Sequence, residues 1–538
     1  MKSVKKLGIL LIIGVVVSFL FTETPCTFAE NRTPRNVIFM IMDGTNSDVV
    51  TLSRWYKGQP LALDEILVGG VKTYSSQSSI TDSAAAGTAM ATGHKTMADF
   101  IGMVSHERKS SRPVLSVLEK ALMQGLLTGI VSTSPVQHAT PAAFSSHVKN
   151  RDEFSDIAEQ QVYQGMDVIL GGGKAWLRPK DEERVKNDDG MLKTKELSRE
   201  DGENLLKVIE DEGYRFVNTK EELTNGREAP GKLWGSFAEE DIEFEFDRKV
   251  LKPEEPSLAD MTKAAIGELS EKENGFFLFV EGSKVDWAAH KNDPIGMISE
   301  VLSFDEAVKE AVDFAKKDGH TMVVAVTDHG NSGLTIGSQN TNKKYYDLPV
   351  KKIIDPLKKA EFTVKGATSQ LKKDRSNLKE VLKSYGLADI SHKDYCTLRD
   401  EKDKVDLENK MVQMMAERAH LGFTTHGHTG EDVFLYAYGP GKPTGLMENT
   451  ELAKVVERYL EIPSEQKKYV DGKKLYKARG YHVAINKRNP HNPVLIAKRQ
   501  GEKLEFPENK NYMLRNGEKI KLSGVNVFNG DTFWIIEN

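Results

Sequence analysis

The sequence predicts an α/β fold with a central, mostly parallel sheet that has helices on both faces, followed by a small β-rich C-terminal region. The first evidence is a set of short continuous apolar runs, which are typical of strands buried on both faces. The second is that helical segments, such as 114–124 and 294–317, lie between them. Alternating strands and helices indicate a parallel sheet. The apolar runs are Val37–Met42, Gly129–Ser132, Phe276–Val280 and Met322–Thr327.

A polar residue follows each predicted strand. This placement is the third observation for the fold class, because ligands of such sheets bind beyond the carboxyl ends of the strands. We therefore expect these polar residues to meet at one edge of the sheet and to form a site there. The residues that follow the four runs are Asp43, Thr133, Glu281 and the pair Asp328–His329.

The first 29 residues are predicted to form a signal peptide. A basic start, with lysines at positions 2, 5 and 6, precedes the apolar stretch Leu7–Phe21, and Thr27–Ala29 is a suitable cleavage site. A transmembrane anchor is the alternative, but this stretch has 15 residues and a membrane span needs roughly 20. We therefore expect export to the periplasm or the extracellular space, with no transmembrane anchor left after cleavage.

The charge of the remaining chain is mildly acidic. Residues 1–29 contain three of the 74 basic and one of the 79 acidic residues, which leaves a net charge of −7. This balance gives no indication of nucleic-acid binding. Cys396 is the single cysteine after residue 29, so no internal disulfide is expected. A homodimer is compatible with the sequence, which does not specify the oligomeric state.

The stretch 80–93, ITDSAAAGTAMATG, places a hydroxyl directly after an acid at the head of a run of small residues. If Ser83 opens a helix, the N–H groups and the positive dipole end of that helix stabilise an anion such as phosphate. The alternative is an ordinary small-residue helix with Ser83 or Asp82 as its N-cap. This stretch alone does not decide between them.

Several other residues are of the types that hold metal ions. Asp286 and His290 are four residues apart, so on a helix they share one face, which suits zinc. Oxygen ligands suit a harder ion such as magnesium. Each residue also has an ordinary alternative: a surface helix pair, a turn, a loop histidine or, for Thr140 before Pro141, a helix N-cap. Their joint occurrence is better explained by one site. The remaining candidate ligands are Asp43, Thr140, Glu281, Asp328, His329 and His428.

Other regions are predicted to be structural. Gly171–Gly173 follows an apolar run but lacks the Lys-Ser/Thr ending of a nucleotide loop, so a tight turn is favoured. Residues 331–420 are rich in lysine, contain helical pieces and are predicted to be an insertion within a catalytic domain spanning 30–464. Residues 465–538 contain short strand patterns separated by turn signals and are predicted to form a β-rich appendage.

Six motifs of the chain resemble those of the alkaline phosphatase family, and the resemblance covers roughly residues 34–462. The motifs are DG at 43–44, TDSAAAGTAMATG at 81–93, VSTSPVQHATPAAFSSHVKNR at 131–151, FVEGSKVDWAAH at 279–290, VTDHG at 326–330 and HTGEDV at 428–433. The resemblance implies an enzyme that hydrolyses small phosphate monoesters through a phosphoserine at Ser83. It also implies two Zn²⁺ and one Mg²⁺ per chain.

Matching these motifs residue by residue implies a role for each position. Arg151 would clamp the phosphate and Asp82 would help to position it. The implied ligand sets are Asp286, His290 and His428 for one zinc; Asp43, Asp328, His329 and the Ser83 oxygen for the second; and Asp43, Thr140 and Glu281 for magnesium.

Two positions depart from the best-known bacterial pattern. His138 replaces an aspartate and Trp287 replaces a lysine, a combination similar to that of certain environmental, including marine, bacterial members. Neither residue is expected to contact a metal ion directly. Because an imidazole replaces a carboxylate near the ion, the strength of magnesium binding is the property most affected.

Two other functions are compatible with parts of this pattern. A phosphodiesterase or sulfatase on the same scaffold usually lacks the magnesium ligands or uses another nucleophile, so Glu281 and Thr140 together with Ser83 favour the monoesterase. A catalytically silent metal-binding surface protein, with residues 465–538 as its adhesive part, is disfavoured by the complete ligand set. Hydrolysis of a simple aryl phosphate separates these possibilities.

Overall fold

The computed structural model describes residues 35–105, 111–179, 199, 201–225, 231–272, 274–463 and 467–537. The predicted signal peptide lies outside this part of the chain. Residues 34–538 form one compact unit. Among the described residues, no helix combines the length and the apolar character needed to cross a bilayer.

The described strands and helices are numbered in chain order. The strands are β1 (Asn36–Met42), β2 (Leu67–Lys72), β3 (Met103–Val104), β4 (Arg112–Pro113), β5 (Leu127–Pro135), β6 (Val168–Gly172), β7 (Tyr214–Val217), β8 (Lys232–Ser236), β9 (Phe276–Gly282), β10 (Thr321–Val326), β11 (Gly330–Asn331), β12 (Thr335–Ile336), β13 (Leu421–Gly422), β14 (His428–Thr429), β15 (Val433–Tyr438), β16 (Gly445–Glu448), β17 (Tyr469–Asp471), β18 (His482–Asn486), β19 (Val494–Arg499), β20 (Glu502–Pro507), β21 (Tyr512–Arg515), β22 (Glu518–Lys521), β23 (Val527–Phe528) and β24 (Phe533–Ile536). The helices are α1 (Ser47–Lys57), α2 (Ser83–Thr92), α3 (Val117–Met123), α4 (Ala139–Ser145), α5 (Phe154–Gln164), α6 (Leu205–Asp211), α7 (Lys220–Asn225), α8 (Glu245–Leu251), α9 (Leu258–Leu269), α10 (Lys284–His290), α11 (Pro294–Asp318), α12 (Val350–Leu357), α13 (Val364–Ser369), α14 (Leu378–Ser384), α15 (His392–Asp400), α16 (Lys404–Arg418), α17 (Asn449–Tyr459) and α18 (Gly472–Ala478).

The central sheet has ten strands in the order β16-β2-β15-β10-β1-β9-β5-β6-β8-β7. The seven strands from β10 to β7 are parallel, whereas β15 runs antiparallel to both of its neighbours. The predicted mostly parallel sheet is therefore confirmed. All four apolar runs lie in adjacent central strands, because β10, β1, β9 and β5 are neighbours in the sheet.

Both faces of this sheet are covered, as the continuous apolar runs predicted. In β1, Ile38, Met40 and Met42 belong to one hydrophobic core, and Val37, Phe39 and Ile41 belong to the core on the opposite face. Since successive side chains of a strand point to opposite faces, a strand packed on both sides must be apolar at every position. The polar residues that follow the strands are therefore concentrated at the carboxyl ends of the central strands, which we call the sheet edge.

Two of the structural predictions can be compared directly with the fold. The region 331–420 contains five helices, α12 to α16, between Val350 and Arg418. Gly171 and Gly172 are the last residues of β6, and only Gly173, with φ of 94°, leaves the strand, so the predicted turn begins at Gly173. A phosphate loop would require a helix N-terminus at this position, and the segment that follows is a short 3₁₀ helix, Lys174–Leu177.

The C-terminal region consists of small antiparallel sheets. Strands β18 to β22 form a five-stranded meander, and β17, β24 and β23 form a three-stranded sheet. A separate hydrophobic cluster that includes Leu495, Leu504, Phe506 and Phe533 joins them to α18. The sequence reading missed β20, although its pattern Glu-Lys-Leu-Glu-Phe alternates as a half-buried strand should.

Candidate active site

Ser83 is the first residue of α2, so of the two residues that the sequence offered as N-cap it is Asp82 that holds this position. Asp82 is the N-cap: its Oδ1 accepts a hydrogen bond from the Ala85 N–H at 3.1 Å, and its Oδ2 accepts one from the Asp99 N–H at 3.0 Å. The helix can approach α4 closely because it lacks large side chains, and a Cβ on Gly87 would lie 3.1 Å from the Cβ of Ala143. Ser83 is 2% exposed, so its hydroxyl lies at the positive end of a buried helix.

The first group of metal-ligand side chains consists of Asp286, His290 and His428, whose ligand atoms all lie within 4.8 Å of one another. Asp286 and His290 are on α10, and His428 is on β14. The Nδ1 of His290 contacts the backbone oxygen of His426 at 2.6 Å, and the Nδ1 of His428 contacts that of Thr81 at 2.8 Å. These contacts leave each Nε2 directed at Asp286, an arrangement typical of zinc-binding histidines.

The second group consists of Asp43, Asp328 and His329, which are completely buried. The Nε2 of His329 lies 3.1 Å from Oδ2 of Asp328, 3.6 Å from Oδ1 of Asp43 and 3.2 Å from the Ser83 Oγ. Burial lowers the pKa of His329, but the Asp328 carboxylate outweighs this effect and raises it to about 9. The nucleophile candidate therefore lies directly against this group.

The third group consists of Asp43, His138 and Glu281. Oε2 of Glu281 accepts hydrogen bonds from the Ser132 hydroxyl at 2.6 Å and the Ser134 hydroxyl at 3.4 Å. Burial raises the pKa of Glu281 to about 7, although the hydroxyls of Ser132, Ser283 and Thr140 oppose this rise. Asp43 belongs to both the second and third groups, so the two potential ion positions share one carboxylate.

The buried carboxylates provide a test of whether metal ions fit this site. Both carboxylate oxygens of Asp43 and Oε1 of Glu281 have no hydrogen-bond partner among the described residues. Burial, followed by the charges of Asp328, Asp286 and Glu281, raises the pKa of Asp43 well above its ordinary value. Buried ionised carboxylates are strongly unfavourable without a compensating charge, so these residues fit bound cations in both chemistry and geometry.

Asp286 has the opposite electrostatic environment. Burial alone would raise the pKa of its carboxyl group, but the hydrogen bond to His290 and the charges of His329, His290 and His428 lower it below the ordinary value. Asn331 donates a further hydrogen bond to Oδ1 of Asp286 at 2.6 Å. Asp286 is thus held as a carboxylate between imidazoles.

Arg151 lies between Asp82 and His138. Its Nη1 is 3.5 Å from Oδ2 of Asp82, and its Nη2 is 3.3 Å from Nε2 of His138. Burial and the charge of Arg151 lower the pKa of His138 to about 3, so the neutral imidazole can accept a hydrogen bond from the guanidinium. Trp287 packs edge-on against His138, with ring centroids 5.5 Å apart.

His138 is closer to the carboxylates than the sequence analysis expected. A ring nitrogen of His138 lies within 4.8 Å of carboxylate oxygens of Asp43 and Glu281. Its Nδ1 is buried and has no hydrogen-bond partner among the described residues. That His138 is not a direct metal ligand remains a prediction. The position of its ring nitrogen is also compatible with direct coordination of an ion between Asp43 and Glu281. Trp287 belongs to none of the three groups.

Several residues that position the site were not identified from the sequence. Ser132, Ser134 and Ser283 surround Glu281, and Asn331 holds Asp286. Only part of their signal was available: Ser283 directly follows β9, which carries Glu281, whereas Ser132 and Ser134 lie within β5 and Asn331 ends the short strand β11. Gly44 is a further case, because it has φ of 67° and a Cβ at this position would lie 2.5 Å from Oδ1 of Asp286.

The sequence was compared with families and curated proteins. The model of the family described as alkaline phosphatase matches residues 34–462. Alkaline phosphatase 4 of Bacillus subtilis is 36% identical over 448 residues, covering 79% of this chain and 89% of that protein. The repressible alkaline phosphatase of Saccharomyces cerevisiae is 32% identical over 501 residues, covering 84% of this chain and 86% of that protein.

Solved structures show the same similarity. The alkaline phosphatase of Thermus thermophilus has a TM-score of 0.69 and 26% identity, covering 81% of this chain and 93% of that one. A histidine-to-aspartate mutant of the alkaline phosphatase from the Antarctic bacterium TAB5 has a TM-score of 0.56 and 25% identity. It covers 80% of this chain and 99% of that one, and its description states that magnesium is bound in a site named M3.

Proposed function

Since the chain belongs to the alkaline phosphatase family and is a phosphatase, we propose that it is an exported, metal-dependent enzyme that hydrolyses small phosphate monoesters through a phosphoserine at Ser83. The observation that carries this proposal is the position of the Ser83 Oγ. It lies at the start of α2, 3.2 Å from His329, next to buried carboxylates that lack enough protein partners. A serine in this place is suited to attack a phosphate that is held by cations.

The proposed metal content is two Zn²⁺ and one Mg²⁺. Asp286, His290 and His428 would hold one zinc, and Asp43, Asp328 and His329 together with the Ser83 oxygen would hold the other. Magnesium would be held by Asp43, Glu281 and Thr140, whose hydroxyl contacts Glu281. When bound, such ions supply Lewis-acid stabilisation of the negative charges on the attacking and leaving oxygens and lower the pKa of bound hydroxyl groups and water.

The protein itself supplies orientation and a low-dielectric environment. The N-terminus of α2 favours negative charge at the Ser83 Oγ and at the phosphate it attacks. Arg151 offers two parallel N–H donors to the non-bridging phosphate oxygens, and Asp82 and His138 hold its guanidinium from two sides. Because Ser83 is almost fully buried, these charges act more strongly than they would in water.

The same features favour monoesters over diesters and sulfates. A monoester presents one more charged oxygen than a diester, and a sulfate monoester carries less negative charge. Arg151 and the ions expected at Asp43, Glu281 and Asp286 stabilise the transition state of the more highly charged group more strongly than that of the others. We expect a large preference in kcat/KM for aryl and alkyl phosphate monoesters, greatest at alkaline pH.

The proposal also includes export of the protein and its assembly into a homodimer. Export is supported by the basic and apolar pattern of residues 1–29. A homodimer is supported by exposed apolar side chains on the β16-β2-β15 edge of the central sheet, where Leu67, Phe434 and Leu446 are 49%, 36% and 58% exposed. Light scattering of the purified protein measures the oligomeric state directly.

The decisive experiment compares Ser83→Ala with Ser79→Ala, a matched control at an exposed serine on the preceding loop. We expect Ser83→Ala to lower kcat for an aryl phosphate by orders of magnitude, because the neighbouring hydroxyl of Thr81 precedes the N-cap and donates to the backbone oxygen of Asp82. Ser79→Ala should stay within about twofold of the wild type. Brief reaction with a phosphate monoester at acidic pH, followed by mass spectrometry, should place the phosphate on Ser83, and labelling elsewhere would refute the assignment.

A further inference from the structure

The C-terminal region differs from the rest of the chain in charge. Residues 465–538 contain 15 Lys and Arg against 8 Asp and Glu, a net charge of +7. Residues 30–464 carry the remaining excess of acidic residues and have a net charge of −14. Because opposite charges are segregated into adjoining regions, the C-terminal region presents a positive potential on an otherwise negative protein.

The positive charge is concentrated on one face of the five-stranded meander. Ala497 and Leu504 pack into the hydrophobic cluster beneath the sheet, so the residues next to them, Lys498 and Lys503, point away from it. The antiparallel register extends this outer face across all five strands. Its charged and titratable residues are His482, Lys498, Lys503, Glu505, Lys519 and Lys521.

The arrangement of these lysines is costly for the fold. Lys498 is directly opposite Lys503 in the register, and His482 is opposite Lys498 on the other side. Like charges in directly opposite positions destabilise a sheet. Glu505, which lies 2.8 Å from the Lys503 ammonium, relieves part of this repulsion. The opposed lysines Lys498 and Lys503 are therefore not explained by sheet pairing alone.

The same positive strip continues onto the catalytic region. Lys232, at the start of β8, is half-buried, and burial lowers the pKa of its ammonium group. The positive charge of Lys521, on the outer face of the meander, lowers this pKa further, as does that of Lys272. The charges of Glu212 and Asp167 act in the opposite direction. Strands are about 4.8 Å apart, so the five strands alone present a strip roughly 20 Å wide.

We propose that this lysine face binds a linear, hydrophilic polymer of phosphodiester-linked polyols and thereby holds the exported enzyme at an anionic matrix. The inference goes beyond the proposed phosphatase activity, and it rests on two parts of the proposed function, export and the preference for monoesters over diesters. A flexible polyanion can follow the strip and place one phosphate near each ammonium group, with release of its counterions.

The composition of the face favours such a polymer over a lipid bilayer. Ten large apolar side chains are exposed among the described residues, and none of them lies between residues 467 and 537. Membrane-bound surfaces combine cations with apolar side chains that enter the interface. A nucleic-acid duplex carries one charge per about 1.7 Å, so the net charge of −14 on the adjoining region repels it more strongly than it repels a polymer with more widely spaced phosphates. Single strands are held by exposed aromatic rings, and none is exposed among the described residues between 467 and 537.

A phosphodiester polymer also suits the chemistry of the active site. The enzyme is expected to discriminate against diesters, so the matrix that holds it would not be degraded by it. Small monoesters would still reach Ser83, because the lysine face and the catalytic residues are on different elements of the molecule. Attachment and hydrolysis should therefore be separable by mutation.

The test measures binding of the full-length mature enzyme to immobilised poly(glycerol phosphate) as salt concentration increases. The test variant is Lys498→Gln, Lys503→Gln, Lys519→Gln and Lys521→Gln together. The matched control replaces four exposed lysines of the catalytic region, Lys249, Lys263, Lys309 and Lys351, which are 53%, 74%, 66% and 82% exposed. Both variants lose four positive charges, and circular dichroism checks that both remain folded.

We expect at least a tenfold weaker affinity for the test variant, and a log K against log salt slope that is smaller by about 3. The control should stay within twofold, and all three proteins should hydrolyse aryl phosphate with the same kcat/KM. Equal losses in both variants, or no binding by the wild type, would refute the proposal. Equal or tighter wild-type binding to duplex DNA or to vesicles of phosphatidylglycerol would also refute it, and loss of hydrolysis alone would concern only the proposed function.

Discussion

Two carboxylate clusters in this protein, one buried and one partly buried, resemble each other in composition and differ in their counter-ions. The cluster at the sheet edge contains Asp43, Glu281 and Asp328, and its nearest basic partner is His329. The cluster beside α5 contains Glu159, Asp201 and Glu203. The chain itself provides cations for the second cluster, because Arg199 and Lys510 both pair with Glu159.

This difference separates a functional cluster from a structural one. Lys510 comes from the C-terminal region and also lies 2.5 Å from Glu203, so its ion pairs attach that region to the catalytic region. Oxygens of Asp43, Glu281 and Glu159 all lack a hydrogen-bond partner among the described residues. Glu159 is nevertheless paired with Lys510 and Arg199, whereas no lysine or arginine of the described residues forms an ion pair with Asp43 or Glu281. A set of acids close enough to bind a metal is therefore indicative only when the protein leaves its charge uncompensated.

The largest expected effect comes from removing a carboxylate at the sheet edge. Asp43→Asn should lower kcat/KM for an aryl phosphate by at least about a thousandfold, because Asp43 is shared by two of the ligand groups and direct ligands determine metal occupancy. Elemental analysis should show loss of metal. Glu203→Gln is the control in the other cluster, and its activity and metal content should match the wild type; a metal loss there would break the comparison.

The second prediction concerns the cluster beside α5, where we expect stability to change and activity to stay the same. Lys510→Met should destabilise the protein by about 3 kcal/mol, because removal of one partner leaves buried carboxylates without compensation, while kcat/KM stays unchanged. Denaturant unfolding measures the effect. Lys519→Met, at an exposed lysine of the same region, should change stability by less than about 0.5 kcal/mol. A loss of activity in Lys510→Met at full metal content would show that the α5 cluster also serves catalysis.

The third prediction concerns pH. In the metal-free protein the pKa of Glu281 is raised to about 7 and that of Asp43 is also raised, so both bind protons at pH values where a free carboxyl is ionised. Metal binding must release these protons. The affinity for Mg²⁺ should therefore increase as pH rises through 7, by up to about tenfold per pH unit for each proton released.

Calorimetry of Mg²⁺ binding in buffers of different ionisation enthalpy counts those protons. Glu281→Gln should release fewer protons and show a flatter pH dependence than the wild type. The variant Glu159→Gln provides the matched control, because burial raises the pKa of Glu159 to about 7 as well, although Lys510 and Arg199 oppose this rise. An unchanged proton count in Glu281→Gln would place the ion away from this carboxylate.

The smallest expected effect is that of His138→Asp. The additional carboxylate near Asp43 and Glu281 should tighten Mg²⁺ binding about tenfold, within the range typical of residues around a metal site. The direction of the activity change depends on Arg151, which loses a neutral acceptor and gains a charged one. Titration of the metal-free protein measures the affinity, and no change would place His138 too far from the ion to contribute.

The pattern of the sequence was sufficient for the fold class, and it also indicated which polar residues follow the central strands. Continuous apolar runs require a strand buried on both faces, as β1 shows, and a polar residue after such a run can only lie at the sheet edge. The i, i+4 spacing of Asp286 and His290 likewise placed both on one face of α10. These predictions succeeded because they depend on local periodicity and on residues that are close together in the sequence.

The tertiary structure decided what local patterns could not. Asp43 and Asp328 are 285 positions apart in the chain, and only the neighbouring positions of β1 and β10 bring them to one cluster. The contacts of Ser132 with Glu281, and of His138 with Arg151, depend in the same way on how distant segments pack. Which acids are compensated is also a tertiary property, since Lys510 reaches Glu159 from the C-terminal region. The sequence thus determined which residues can carry charge or bind an ion, and the fold determined which of those charges remain unpaired.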